Sequence, residues 1–167
     1  MLTKDIEFKN FKKGKKYKGV KKLFVDIKKK IIEKSDLFLL SLTDKYKNLF
    51  DESSLKQLKK YNHYTLIGMG GSSLGAKAIY SFLSNKVKKK FSFIDNIKLD
   101  KIPINKKNLN IIISKSGNTL ETITNFNTLT NNKNSIFLTE NKNNYLRKIA
   151  TEIKREIFKH QDYIGGR

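Results

Sequence analysis

Two short segments concentrate the residue types that anion chemistry requires: GMGGSSLG at residues 68–75 and SKSGNTLET at residues 114–122. Glycine lets backbone N–H groups come close to a ligand, and hydroxyls at the start of a helix add directed donors beside the positive end of its dipole. The second segment places Ser114, Lys115, Ser116 and Thr119 within six positions, and the Lys115 ammonium adds a full charge. An oxygen-rich dianion, phosphate above all, would use every one of these groups. An ordinary helix start explains part of the pattern, since Asn118 followed three residues later by Glu121 is a capping box. The remaining hydroxyls exceed what a cap consumes.

A nucleotide is the competing ligand for the first segment. A dinucleotide fingerprint would use Gly68 and Gly70 with Ser73 as the third small residue, and Asp95 as the acidic residue some distance onward, which is a partial match. A phosphate-binding NTPase loop fails more clearly. Gly70 and Gly75 have the right separation, but Ala76 stands where lysine is required and Lys77 comes one residue late.

These segments need a framework to hold them, and 167 residues with 38% hydrophobic content suffice for about one globular domain. There is no cysteine, and the two histidines, His63 and His160, are isolated, so neither a thiolate site nor a metal constellation is expected and no cofactor is called for. The charged start MLTKDIEFKNFKK has no apolar core of a signal peptide, and no run reaches the roughly 20 apolar residues of a membrane span, so a cytoplasmic location is expected. The 36 Lys+Arg against 15 Asp+Glu give a net charge of +21, which attracts anions of any kind without choosing among them. The basic stretch from Phe8 to Lys30 interleaves Phe11, Tyr17 and Phe24 with lysines, as a single-strand nucleic-acid surface would. Val20, Leu23, Phe24, Ile27 and Ile31 nevertheless fall at helical spacing, which makes those lysines the solvated side of an amphipathic helix. No specific nucleic-acid partner and no membrane partner are expected.

Residues 20–60 read as helical, with Ser35 or Asp36 and then Asp51 or Ser53 as candidate caps. After Tyr61 the pattern changes to short β-branched or apolar runs, TLIG, FSFID, NIIIS and SIFLTE, alternating with the helical stretches 74–89, 119–132 and 143–158. Such alternation spells an α/β domain with a mainly parallel sheet flanked by helices. The expected organisation is a helical N-terminal segment at 1–60 followed by one α/β domain at 61–167, with Pro103 in a polar connection. In these sheets ligands bind beyond the carboxyl ends of the strands, where both glycine-bearing segments would lie.

GMGGSSLG, SKSGNTLET and YIGGR at residues 163–167 resemble, in order and approximate spacing, three signature segments of the glucose-6-phosphate isomerase family, and FSFIDN resembles a strand end of that family. Ser116 stands where the family usually has threonine and Ile164 where it has valine, and both changes keep the chemistry. The resemblance implies the sugar isomerase (SIS) fold, used twice in the complete enzyme, of which this chain would cover the first copy. It implies glucose 6-phosphate and fructose 6-phosphate as partners, interconverted through a cis-enediol, and an enzyme that is commonly a homodimer. By carry-over, Ser114, Lys115, Ser116, Gly117, Asn118 and Thr119 would hold the phosphate, Ser72 and Ser73 would touch the sugar phosphate, and Arg167 would stabilise the enediolate oxygen. The family's base glutamate, ring-opening histidine and late lysine lie downstream of its VGGR segment, so a chain ending on Arg167 is expected to be an N-terminal part without a proton shuttle. His160 and Glu121 match none of those positions. Two other readings compete: a regulatory SIS module that senses a phosphosugar, and a basic nucleic-acid-binding domain, which would show steep salt dependence.

Overall fold

A computed structural model describes residues 19–33, 39, 41, 43, 46, 47, 49–98, 108–129 and 134–165. The chain forms two compact units, Met1–Tyr46 and Lys47–Arg167. In the first, the spacing of Val20, Leu23, Phe24, Ile27 and Ile31 does yield a helix, α1 (Val20–Ile32), none of whose residues is buried. The candidate caps Ser35 and Asp36 lie outside the described residues.

The second unit opens with α2 (Glu52–Leu58), capped as its sequence predicts by the Asp51 carboxylate, which accepts a hydrogen bond from the Ser53 amide at 3.3 Å. There follow β1 (His63–Ile67), α3 (Gly71–Phe82), β2 (Lys90–Ile94), β3 (Asn108–Ile113), α4 (Leu120–Leu129), β4 (Ser135–Glu140), α5 (Tyr145–Glu152) and β5 (Glu156–His160). All five strands are parallel, in the order β2-β1-β3-β4-β5. The helix-flanked parallel sheet expected from the sequence is therefore present.

Side-chain alternation divides the core between the two sheet faces. Tyr64, Phe91, Leu109, Ile111 and Ile136 point to one face, where Leu58 of α2 packs and Tyr80 of α3 lies 5.1 Å from the Phe91 ring. Ile112 and Phe137 point to the other, against Phe126 of α4 and Leu146 and Ala150 of α5, with Phe126 and Phe137 in edge contact. Ile67, Ile94 and Leu129 extend this second layer. Among the described residues no helix is long and apolar enough to cross a membrane.

One expected element is corrected. The helix read over 143–158 ends at Glu152, and EIFKH becomes the edge strand β5. The break is a Schellman turn: Lys154 takes a left-handed conformation (φ 54°), its amide bonds the Thr151 carbonyl at 3.1 Å, and the Arg155 amide reaches back to Ala150 at 2.8 Å. Glycine or asparagine usually signals that turn, and lysine gives no such signal.

Strand order also locates the site. The chain moves from β1 outward to β2, then from β3 outward in the opposite direction through β4 to β5. The loops that leave β1 and β3 therefore diverge from neighbouring strands and leave a crevice between them.

Candidate functional site

The first loop is pressed against the end of β3. A Cβ on Gly68 would stand 2.9 Å from the Ile113 carbonyl and 3.1 Å from the Ser72 Cβ, so only glycine permits this approach, while its amide bonds the Ile94 carbonyl at 3.1 Å. Helix α3 begins three residues later, and its two serines diverge. Ser72 lines the crevice, whereas Ser73 is fully buried with its hydroxyl donating to the Gly70 carbonyl at 3.2 Å. Ser73 is thus occupied inside the helix start, and Ser72 alone of the pair faces the site.

The second loop gathers hydroxyls. Ser114 extends the β3–β4 ladder through its amide to the Leu138 carbonyl at 3.1 Å, and its buried side chain accepts from the Gly117 amide at 3.1 Å. Its hydroxyl lies 2.8 Å from that of Thr119 and 3.4 Å from that of Ser116. The Ser116 hydroxyl also accepts from the Asn118 amide at 3.3 Å. Three hydroxyls thus converge where β3 ends and α4 starts.

Gly117 and Asn118 serve a second helix as well. The Leu146 amide donates to the Gly117 carbonyl at 3.0 Å and the Tyr145 amide to the Asn118 side-chain oxygen at 2.9 Å, so two otherwise orphaned first-turn donors of α5 are satisfied by the loop. The Asn118–Glu121 pattern is accordingly corrected: the Asn118 side chain holds the start of α5 rather than boxing that of α4. The true cap of α5 is Asn144, whose side-chain oxygen accepts from the Arg147 amide at 2.9 Å while its nitrogen donates to Thr139 Oγ1 at 3.1 Å.

Ser72, Ser114, Lys115, Ser116 and Thr119 line one cleft of about 560 Å³, together with Met69, Glu140, Lys142 and Asp162. Glu140 is nearly buried and pairs with the Lys142 ammonium at 3.1 Å, which holds that ammonium above its ordinary pKa. The walls therefore balance two cations against two carboxylates. Sequence reasoning missed Glu140 and Lys142, since TEN after an apolar run reads as a strand end. Their position at a strand's carboxyl end was the available signal.

Lys115, which lines the cleft, also makes contacts that its sequence reading does not anticipate. Its Nζ donates to the main-chain carbonyls of Asp162 and of Ile164, each at 2.7 Å. Its own carbonyl accepts from the Glu140 amide at 3.1 Å and the Thr139 hydroxyl at 3.2 Å. Arg167 lies outside the described residues. His160 turns its ring Nδ1 to the Gln161 carbonyl at 2.8 Å, and neither it nor Glu121 lines the cleft. Asp95, the acidic residue a dinucleotide would need, is ion-paired with Lys77, whose hydrogen bond holds the Asp95 carboxyl below its usual range. Among the described residues no group of three or more His, Asp or Glu side chains is placed to hold a metal.

No family profile matches the chain. Curated relatives do. The chain is 39% identical over 130 residues to the glucose-6-phosphate isomerase of Borrelia garinii subsp. bavariensis, covering 65% of this chain and 24% of that one. It is 37% identical over 112 residues to that of Methanocaldococcus jannaschii (62% and 27%), and 35% identical over 109 residues to that of Campylobacter jejuni (59% and 27%). The chain spans about a quarter of the length of these relatives. Among solved structures it resembles a hypothetical protein of Thermus thermophilus, with a TM-score of 0.58 at 20% identity over 88% of this chain and 43% of that one. It also resembles the NanR protein of Vibrio vulnificus complexed with ManNAc-6P, with a TM-score of 0.50 at 18% identity over 71% and 46%. These last two likenesses are of fold. The resemblance first carried by three loops thus extends to sequence similarity over 59–65% of this chain.

Proposed function

We propose that this chain is the N-terminal, phosphosugar-binding part of a glucose-6-phosphate isomerase, built on the first of two SIS domains. The observation that carries the reading is the convergence of the Ser114, Ser116 and Thr119 hydroxyls beside Ser72, in a cleft at the point where strand order reverses. A phosphate monoester offers terminal oxygens that accept from those hydroxyls, and the positive end of α4 adds a favourable field. Gly117 and Asn118 shape the loop while they hold α5, and Ser73 fixes the start of the helix that presents Ser72.

In the aldose–ketose interconversion a proton moves between adjacent carbons through a cis-enediol, and the phosphate ester remains intact. This chain's share is to bind and orient the phosphate end and, through Arg167, to stabilise the enediolate oxygen. The guanidinium stays charged throughout and can steady an oxyanion without giving up its proton. The proton shuttle falls to groups other than those of these 167 residues, so the chain alone is expected to bind but not to isomerise at an enzymatic rate. The reading places the reaction in the cytoplasm.

Titration of the isotopically labelled chain with fructose 6-phosphate, inorganic phosphate and fructose, followed by amide NMR, tests the reading. The amides of Ser72 and residues 114–119 should shift with both phosphate-bearing ligands and stay in place with fructose. Equal response to fructose, or no response of these amides to either phosphate compound, would sink it.

A further inference from the structure

The Lys115 ammonium is anchored to two carbonyls of a segment that lies 47 and 49 positions further along the chain. An ammonium has three N–H donors and no acceptor, so two carbonyls leave one donor uncommitted. The residue is half-buried in the wall of the same cleft that the three hydroxyls line. Its backbone is pinned to the end of β4 by the Glu140 amide and the Thr139 hydroxyl, so the side chain starts from a fixed point. At its far end the segment is folded on itself, with the Ile164 amide bonded to the Gln161 carbonyl at 3.3 Å. In the sequence, Tyr163, Ile164 and Gly165 are followed by Gly166 and Arg167.

We propose that Lys115 is a positioning residue that couples phosphate occupancy to the placement of the Asp162–Gly165 segment. Two of its N–H groups hold the segment, and the third is given to the bound phosphate. A dianion on that third donor fixes the rotamer of the side chain, so the two remaining N–H groups stay aimed at both carbonyls instead of being shared with solvent. Phosphate capture therefore sets the placement of residues 162–165, the stretch that precedes Arg167 in the sequence. This inference rests on the phosphosugar reading of the cleft.

The test is amide hydrogen exchange across the 167-residue chain, with and without saturating inorganic phosphate, in the parent and in Lys115→Met and Lys115→Arg. In the parent, phosphate should slow exchange at residues 162–165 about tenfold, the effect expected of one added charge-assisted hydrogen bond. In Lys115→Met the same amides should exchange faster without ligand, and phosphate should still shift Ser114, Ser116 and Thr119 while leaving 162–165 unslowed. Lys115→Arg keeps the charge, but a planar fork does not aim its donors as a tetrahedral ammonium does, so loop binding should survive with the coupling reduced. Slowing at 162–165 that is equal in the parent and in both variants would overturn the bridge and leave the cleft assignment standing. If phosphate failed to shift the loop amides of the parent, the cleft assignment would fall first, and the bridge with it.

Discussion

The carboxamide of Asn144 occupies the space into which any side chain at position 117 would have to project. Gly117 sits in the left-handed region (φ 67°), its carbonyl bonds the first turn of α5, and Asn144 caps that same turn. Loop and helix are interlocked at one point, and the hydroxyl cluster is built on it.

Gly117→Ala should lower unfolding stability by about 2–4 kcal/mol, from left-handed strain plus the clash with the carboxamide. Asn144→Ala should cost about 2 kcal/mol, through the lost cap and the loss of its bond to Thr139. Because removing the carboxamide makes room for the new methyl, the double variant should lose less than the two singles together. Urea denaturation of all four proteins measures this, and strict additivity would contradict the interlock.

Thr119→Val and Ser114→Ala should each weaken binding of inorganic phosphate by about 1–3 kcal/mol, the range for a lost hydrogen bond to a charged acceptor. Ser114→Ala should also destabilise the loop, since the Gly117 amide loses a partner. NMR titration gives both affinities, and parental values for both variants would exclude the hydroxyl cluster as the phosphate cradle.

Glu140→Gln should tighten phosphate binding by about 1 kcal/mol, because it removes a negative charge from the wall of the cleft and releases the Lys142 ammonium. The gain should shrink as ionic strength rises. Weaker binding in the variant would show that Glu140 holds Lys142 in a useful place, contrary to this expectation.

Acid sensitivity should trace in part to Asp95. The Lys77 hydrogen bond lowers its folded pKa below the ordinary 3.8, so its stabilising contribution is present above that value and is lost as pH falls through the depressed one. Both side chains are about one-third exposed, and screening limits the effect to under about 1 kcal/mol. Comparing parent and Lys77→Met by thermal unfolding at neutral pH and at pH values below that threshold should show the difference between them narrowing under acid. A constant difference would exclude the pair as the cause.

The strands were legible where β-branched and aromatic residues cluster, as at NIII and SIF, and the loops where glycine meets hydroxyls. The edge strand β5 was not, because Ile153-Lys154-Arg155 carries no turn residue and the helical pattern runs through it unbroken. Within the site, Ser72, Ser114, Ser116 and Thr119 were visible because adjacent positions form the cleft. What escaped was long-range: the Lys115 side chain is matched to carbonyls in a distant segment, and carbonyls carry no sequence signature. The interlock of Asn144 with Gly117 is invisible for the same reason, since each residue read alone is an ordinary cap or turn.

Among the described residues, the two edges of the sheet, β2 and β5, each leave a row of backbone donors and acceptors without a neighbouring strand. Both edges are framed by cations: Lys86, Lys88, Lys89 and Lys90 at β2, and Lys154, Arg155 and Lys159 at β5. Two molecules approaching edge to edge would bring those charges together, on chains that each already carry +21. A basic excess of this size would thus oppose the stitching of like chains, open edge to open edge, into a continuous ribbon. Concentrated salt or a polyanion would screen that repulsion and expose KFSFI, whose aromatic alternation is well suited to such stitching.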